Sequence, residues 1–148
     1  MITEEDRFRD HLKKKGLKFT SERKLILKEV FSSHKHFDVE ELFGRLRKKD
    51  RAISRATIYR TLPLLIESGL IREALRCRDR FYYEHVFGHP HHDHLLCIGC
   101  GKVIEFRDER LEKLQNEVCK KYGFELIEHR LGIKGYCKKC QKKISKST

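Results

Sequence analysis

The sequence of 148 residues lacks any long apolar segment. No apolar run approaches the roughly 18 residues that a membrane-spanning helix needs. The first nine residues are charged and contain no apolar stretch of the kind found in secretory signal peptides. These absences predict a cytoplasmic protein with no membrane segment. Because that compartment is reducing, the paired cysteines of the chain are better interpreted as metal ligands than as disulfides.

The common signatures of zinc enzymes are missing as well. The sequence contains no His-Glu-x-x-His, and no His-x-Glu combined with Pro-Cys-x-x-Cys. We therefore expect that the chain is not an enzyme. Two alternatives stay open: a zinc enzyme acting on nucleic acid, since a catalytic zinc needs only three protein ligands, and a zinc-stabilised interaction module without affinity for DNA.

Acidic residues are too few to balance the basic ones. The net charge is +12, and residues 1–85 carry 21 basic and 14 acidic side chains against 13 and 8 in residues 86–148. Clustered lysine and arginine bind phosphates through counterion release. The charge therefore predicts a nucleic-acid partner, with the stronger signal in the N-terminal half.

Apolar spacing in the first half predicts helices followed by a hairpin. The expected elements are helices from Glu4, from about Thr20 to Ser33, from Asp38 and from Ser54 to Gly69, then strands Leu70–Leu75 and Phe81–Glu84. This is the order of a winged helix-turn-helix, although a plain helical bundle has the same helix count. Polar side chains in the first turns of the fourth helix favour DNA binding, because such a helix presents them to base edges. They are Arg55, Thr57, Tyr59 and Arg60.

The second half predicts a small α/β domain. The expected elements are strands Asp93–Cys97 and Val103–Phe106, a helix from Asp108 to Tyr122 with Cys119 in the core, and a strand Glu125–Tyr136. The lysine- and serine-rich tail after Cys140 is expected to fray. A linker at Val86–Pro90 separates the two predicted domains, residues 1–86 and 91–148.

Two Cys-x-x-Cys motifs, Cys97 with Cys100 and Cys137 with Cys140, carry the most specific chemistry. A tetrahedral zinc site needs four deprotonated soft ligands, and each motif delivers two of them from one tight turn. A redox dithiol pair and an iron–sulfur ligand set are the alternatives. Structural Zn²⁺ is favoured because no βαβ pattern surrounds the motifs.

A second metal signal is the run from His89 to His94, which contains four histidines and Asp93. If residues 91–97 form a strand, side chains alternate between its faces. His92 and His94 then point to one face, and His91 and Asp93 to the other. One short strand is thereby predicted to serve two metal sites, although a solvated loop would carry the same residues.

Three motifs together resemble the ferric uptake regulator family in order and spacing. They are Leu17-Lys18-Phe19-Thr20-x-x-Arg23, Ala56-Thr57-Ile58-Tyr59-Arg60-Thr61-Leu62, and His91-His92-Asp93-His94-Leu95-Leu96-Cys97-x-x-Cys100-Gly101-Lys102-Val103-Ile104-Glu105-Phe106. The resemblance implies a homodimer that binds double-stranded operator DNA. Each chain would have an N-terminal winged-helix domain that binds DNA and a C-terminal α/β dimerisation domain.

The resemblance also implies ligand sets and DNA contacts. A regulatory site bridging the two domains would comprise His36, Glu84, His92, His94 and Glu105. A second site would comprise His91, Asp93, Glu112 and His129. Besides the residues of the fourth helix, Lys18 would reach the minor groove and Arg23 would belong to the DNA-binding set.

Mixed imidazole and carboxylate ligands suit Fe²⁺, Mn²⁺, Co²⁺ or Zn²⁺, so the ligand types alone do not fix the regulatory metal. This chain has glutamates at positions 84 and 105, whereas the pattern of peroxide-sensing members has aspartates at the matching positions. The resemblance therefore implies an Fe²⁺-responsive repressor of iron homeostasis genes. A peroxide-sensing member and a zinc- or manganese-sensing member are the alternatives within the family.

Overall fold

A computed structural model describes residues 1–147 and divides the chain into two compact units, Met1–Pro90 and a second unit that begins at His91. The elements are α1 (Glu4–Lys14), α2 (Ser21–Phe31), α3 (Val39–Lys49), α4 (Arg55–Glu67), β1 (Ile71–Cys77), β2 (Arg80–His85), β3 (Asp93–Cys97), β4 (Val103–Phe106), α5 (Glu109–Lys121), β5 (Gly132–Gly135) and α6 (Lys138–Lys146). This mixture of helices and small sheets confirms the predicted α+β fold class. Within residues 1–147, no helix has the length and hydropathy that crossing a bilayer requires.

Side-chain caps begin the four helices of the first unit, because an oxygen at the N-cap satisfies a backbone N–H that has no partner inside the helix. The caps are Thr3, Thr20, Asp38 and Ser54. At α3 the predicted capping box is present: the Glu41 N–H donates to Asp38, and the Asp38 N–H donates to Glu41. The last helix, α4, continues through Pro63 and ends where Gly69 adopts a positive φ of 70°.

The four helices and β1 share one apolar core. Its side chains recur every three or four residues along each helix, which is the spacing that the sequence predicted. Fully buried members include Phe8, Leu12, Ile26, Leu42, Leu46, Ile58, Leu65 and Ile71. Each such side chain contributes about 1.5–3 kcal/mol by leaving water. The first unit is therefore stabilised by conventional hydrophobic burial.

The strands β1 and β2 form the wing, an antiparallel hairpin closed by Arg78 and Asp79. Arg78 has a positive φ of 56° at this turn. On the other side of β2, Phe37 and Tyr83 exchange backbone hydrogen bonds of 2.8 and 3.0 Å. This isolated bridge attaches the segment before α3 to the wing.

The second unit is a three-stranded sheet in the order β4-β3-β5, with β3 antiparallel to β4 and parallel to β5. The predicted ranges of β3 and β4 match the structure. The predicted strand 125–136 is wrong over most of its length, because only Gly132–Gly135 pairs with the short central strand. The predicted fraying of the tail is also wrong, since the tail lies in α6 (Lys138–Lys146), whose N-cap is Cys137.

The second unit buries very little apolar surface by itself. Among its described residues, the buried hydrophobic side chains are Leu96, Cys97 and Cys140. The helix α5 has no buried residue, and Cys119, predicted to lie in the core, is half-buried. Across the sheet, Ile104, Leu95 and Ile133 are exposed and occupy one cross-strand row. Hydrophobic burial within one chain therefore cannot account for the stability of this unit.

Candidate metal centres and DNA-facing surface

Four cysteine side chains of the second unit converge on one point. Their sulfur atoms all lie within 4.8 Å of one another, and the Cys100 and Cys137 sulfurs are 3.8 Å apart. A tetrahedral zinc ion with Zn–S bonds of about 2.3 Å would place its sulfurs about 3.8 Å apart. The donor set and its spacing therefore fit Zn²⁺. We call Cys97, Cys100, Cys137 and Cys140 the cysteine site.

The chain builds the cysteine site from two tight turns, one after β3 and one before α6. Gly99 lies between the two cysteines of the first turn, and a Cβ atom placed on it would be only 2.9 Å from the Cys140 sulfur. Real Cβ atoms do not approach a neighbour so closely, so only glycine permits the two turns to meet.

Hydrogen bonds set different pKa values within the cysteine site. The Cys137 backbone N–H donates to the Cys97 sulfur at 3.2 Å and lowers the pKa of Cys97 to about 6. The pKa of Cys137 is lowered by the backbone N–H of Cys140. Cys140 shares its own proton with Cys137, which raises the pKa of Cys140 to about 12. Negative charge therefore accumulates on the sulfurs before all four protons are lost, which favours a bound cation.

A second group of ligating side chains lies at the other end of β3, around its first residue Asp93. The His91 Nε2 atom is 3.2 Å from Asp93 and 3.8 Å from Glu112, and the His129 Nε2 atom is 3.8 and 3.4 Å from the same two carboxylates. We call these four residues the His91–His129 cluster. It combines the strand β3, the helix α5 and the segment before β5, and it contains the whole second ligand set that the sequence predicted.

Several polar atoms of the His91–His129 cluster are buried without a hydrogen-bond partner among the described residues. They are Asp93 Oδ2, Glu112 Oε1 and His129 Nε2. An unpaired buried polar atom costs about 1–3 kcal/mol. Asp93 is only 1% exposed, so water does not remove this cost. A divalent cation at the centre would satisfy these atoms, so the cluster fits a metal.

In the first unit, the His36 Nε2 atom lies 2.9 Å from the Glu84 carboxylate. The cause is the antiparallel bridge between Phe37 and Tyr83. His36 precedes Phe37 and Glu84 follows Tyr83, so the bridge places these two residues opposite each other. Glu84 is 2% exposed, and Arg72 donates to its second oxygen at 2.5 Å. The pair thus presents one imidazole and one carboxylate in a fixed geometry.

In the second unit, His92, His94 and Glu105 lie close together. The ring centroids of the two histidines are 5.0 Å apart, and the His92 Nε2 atom is 3.7 Å from Glu105. His94 on β3 and Glu105 on β4 are direct cross-strand partners. The predicted alternation along β3 is present, because His92 and His94 form this group while His91 and Asp93 belong to the His91–His129 cluster.

The predicted DNA-binding residues of α4 are near its beginning. Arg55, Tyr59 and Arg60 are exposed, and Thr57 is half-exposed with its N–H bound to Ser54. The Arg55 guanidinium donates twice to Glu40 at 2.9 Å and lies 4.1 Å from the centre of the Phe43 ring. Arg55 therefore has intramolecular partners on the surface that was predicted to face DNA.

The loop before α2 carries the remaining predicted contacts. The Lys18 side chain is exposed, and the half-buried Arg23 donates a hydrogen bond to the Lys18 carbonyl. Arg23 therefore fixes the backbone that presents Lys18. The basic side chains Arg76, Arg78 and Arg80 lie at or beside the tip of the wing.

Sequence reasoning missed a third group of histidines in the first unit. One nitrogen from each of His34, His85 and His89 lies within 4.8 Å of the others. The available signal was the density of histidines, because His34 is two residues before His36, and His85 and His89 are close to the predicted ligand run.

Comparison with known proteins identifies a consistent set of relatives. The model of the ferric uptake regulator family matches residues 14–134. The ferric uptake regulation protein of Helicobacter pylori is 37% identical over 136 residues, which make up 92% of this chain and 90% of that protein.

Solved structures agree with this result. The structure of the Helicobacter pylori ferric uptake regulator, which has three functional metal binding sites, matches with a TM-score of 0.83 at 36% identity and covers 93% of this chain and 91% of that one. The Campylobacter jejuni peroxide stress regulator matches with a TM-score of 0.70 at 30% identity, covering 88% of this chain and 97% of that one.

Proposed function

The chain belongs to the ferric uptake regulator family, and on that premise we propose that it is an Fe²⁺-responsive repressor of operator DNA. Members of this family are metal-responsive transcription regulators that bind DNA and act as dimers, so the expectation of a regulator that is not an enzyme is confirmed. We further propose that the sensed metal is Fe²⁺, that the target is double-stranded operator DNA and that the protein is cytoplasmic. The residues proposed to bind the metal and the DNA are given below.

We propose that the regulatory ion is held jointly by the His36–Glu84 pair of the first unit and by His92, His94 and Glu105 of the second. The observation that carries this proposal is the incompleteness of each set. One unit offers two ligating side chains and the other offers three. The two-histidine, one-carboxylate set of the second unit leaves coordination positions open at a bound Fe²⁺, and the His36–Glu84 pair supplies a nitrogen and an oxygen that could fill them.

Such a division of ligands would couple metal binding to DNA binding. An ion that takes ligands from two units binds best to the arrangement in which both sets meet. It therefore shifts the population toward that arrangement by its differential affinity. In the homodimer, the two α4 helices would then be held at a spacing that suits successive major grooves. Lys18, Arg23, Arg55, Thr57, Tyr59 and Arg60 are the proposed DNA-binding residues.

The cysteine site has a different proposed role. Its four thiolates would saturate a Zn²⁺ ion, which leaves no open position for substrate or exchange. Bound zinc would supply folding free energy to a unit that buries few apolar side chains. The His91–His129 cluster is the proposed second metal site and joins β3 to α5 in the same unit.

The carboxylates at positions 84 and 105 support iron sensing over peroxide sensing, because both are glutamates. Fe²⁺, with Mn²⁺, Co²⁺ or Zn²⁺ as surrogates, accepts such mixed nitrogen and oxygen ligands. Peroxide, manganese and zinc sensing are the alternatives that the titration below distinguishes.

The test is operator binding by fluorescence anisotropy at fixed salt, with the chain titrated anaerobically with Fe²⁺, Mn²⁺ or Zn²⁺. We expect Fe²⁺ to raise the affinity by about 5- to 150-fold, the usual range of allosteric coupling. His92→Ala should abolish the rise, while His11→Gln on α1 should retain it. Equal operator affinity with and without a chelator that spares the cysteine site would overturn the proposal.

A further inference from the structure

Three histidines of the first unit, none of them in the ligand sets above, meet at one point. The His85 Nε2 and His34 Nδ1 atoms are 3.1 Å apart. The rings of His34, His85 and His89 have pairwise centroid distances of 4.7–4.9 Å. We call these residues the histidine triad. Among residues 1–147, no acidic side chain shares the cluster of potential ligands that they form.

The triad is anchored to the core of the first unit. His85 is the last residue of β2, and its ring packs edge-on against Phe31 at the end of α2. Just after it, the Val86 N–H donates to the Leu70 carbonyl at 2.9 Å. The His89 N–H then donates back to Val86 at 3.1 Å, in a turn that Gly88 permits with its positive φ of 78°. The rings are therefore held by backbone hydrogen bonds and packing.

The buried member of the triad, His85, directs its Nε2 atom toward His34, and this nitrogen is the one that would bind an ion. His85 is 5% exposed, and its Nδ1 atom is buried with no hydrogen-bond partner in the described part of the chain. Its other ring nitrogen is shared with His34. Each neutral imidazole has one N–H and one acceptor nitrogen, so each of the three rings can offer one lone pair to a cation. Meanwhile His34 and His89 are exposed, so an ion can reach the group from solvent.

We propose that the histidine triad is a further metal site that binds a late first-row divalent cation such as Zn²⁺. Zinc bound to imidazole at about 2.0–2.1 Å places its nitrogens about 3.4 Å apart, close to the observed 3.1 Å. Three protein ligands leave a fourth position for water. Because all three ligands are imidazoles, the site selects Zn²⁺, Ni²⁺ or Cu²⁺ over Mn²⁺, which favours carboxylate oxygens. Fe²⁺ accepts imidazole but forms weaker complexes than these three ions.

The test counts ions on the full chain. His34→Gln and His89→Gln change exposed side chains, so the core of the first unit stays intact. His11→Gln is the matched control, since His11 lies in the same unit and outside the triad. The bound Zn²⁺ and Mn²⁺ are measured separately by equilibrium dialysis followed by elemental analysis.

We expect the wild-type chain and His11→Gln to bind one more Zn²⁺ per chain than either triad variant, and all four proteins to bind the same amount of Mn²⁺. Unchanged Zn²⁺ binding in both triad variants would overturn the proposal. So would an equal loss of Mn²⁺, because that result would remove the selectivity. The count is independent of operator binding, so it stands or fails separately from the proposed iron response.

Discussion

Arg55 and Glu40 are joined by two parallel hydrogen bonds of 2.9 Å, which link the first turn of α4 to the first turn of α3. The Arg55 guanidinium holds the pKa of Glu40 below its usual range, so the carboxylate stays charged at neutral pH. A DNA phosphate that recruits Arg55 must therefore compete with this carboxylate. The pair is exposed, and exposed ion pairs contribute little to stability because water and salt screen them.

We predict that Glu40→Gln strengthens operator binding by up to about 5-fold, because it releases Arg55 and removes a negative charge near the phosphates. The salt dependence of log affinity should steepen by about 0.9 if Arg55 gains one phosphate contact. Anisotropy titrations at several salt concentrations measure both quantities. Glu117→Gln, which removes the same charge from α5, should change neither. Weaker binding by Glu40→Gln would show that Glu40 positions Arg55 productively.

We predict that Gly99→Ala weakens zinc retention by the cysteine site. The new methyl group would be 2.9 Å from the Cys140 sulfur, so the two turns must separate. The rate of zinc transfer to a chromogenic chelator measures the effect and should rise at least tenfold. Gly135→Ala is the control from the same unit, since a Cβ atom there meets no atom within 4 Å. Equal transfer rates in both variants would contradict the predicted clash.

We predict that zinc uptake by the metal-free chain releases fewer than four protons at about pH 7.5. The pKa of Cys97 is lowered to about 6, so this thiol is already ionised, whereas Cys140 with a pKa of about 12 keeps its proton until zinc binds. Below about pH 6 Cys97 is protonated in the metal-free chain, and the number released should rise. Calorimetry in buffers of different ionisation enthalpy gives the count. Four protons at both pH values would disprove the assigned pKa order.

We predict that Glu112→Gln removes one Mn²⁺ ion per chain and leaves the zinc of the cysteine site in place. The substitution replaces a carboxylate that lies within 3.4–3.8 Å of both histidines of the His91–His129 cluster. Elemental analysis after dialysis against Mn²⁺ measures the loss. Glu109→Gln, three residues earlier on α5, should bind as the wild-type chain does. If the two variants bind equal amounts of Mn²⁺, the cluster is not a metal site.

We predict that Leu114→Glu combined with Val118→Glu converts the homodimer into monomers. The two side chains are one helical turn apart on α5, and both are exposed in the single chain. Charges at these positions would oppose burial against a second copy. Light scattering coupled to gel filtration measures the mass, and Lys113→Glu is the control on the same helix. A dimeric double variant would place the subunit contact elsewhere.

Much of the fold was predictable from local chemistry. Asp38 with Glu41 marked the beginning of α3, and the strand predicted at residues 93–97 implied that its ligands lie on two faces. The spacing of the four cysteines predicted one zinc site without any knowledge of the fold. In each case the signal lies within a few residues, where caps, strand period and ligand geometry act directly.

The remaining features depend on contacts that are distant in sequence. The length of β5 is set by β3, which offers it only four pairing positions, so the β-like composition of residues 125–131 was misleading. The helix α6 has little apolar content, but it begins within the cysteine site and is fixed there by Cys140. The histidine triad combines positions 34, 85 and 89, and no spacing rule connects residues so far apart.

The small apolar interior of the second unit has a consequence for how the cell controls this protein. A domain whose cohesion comes from coordinate bonds and from contact with a second copy is expected to lose stability when either is scarce. Newly made chains that lack zinc, or that are too dilute to pair, remain substrates for proteolysis. We therefore expect the abundance of the chain to follow the supply of zinc before any iron is sensed.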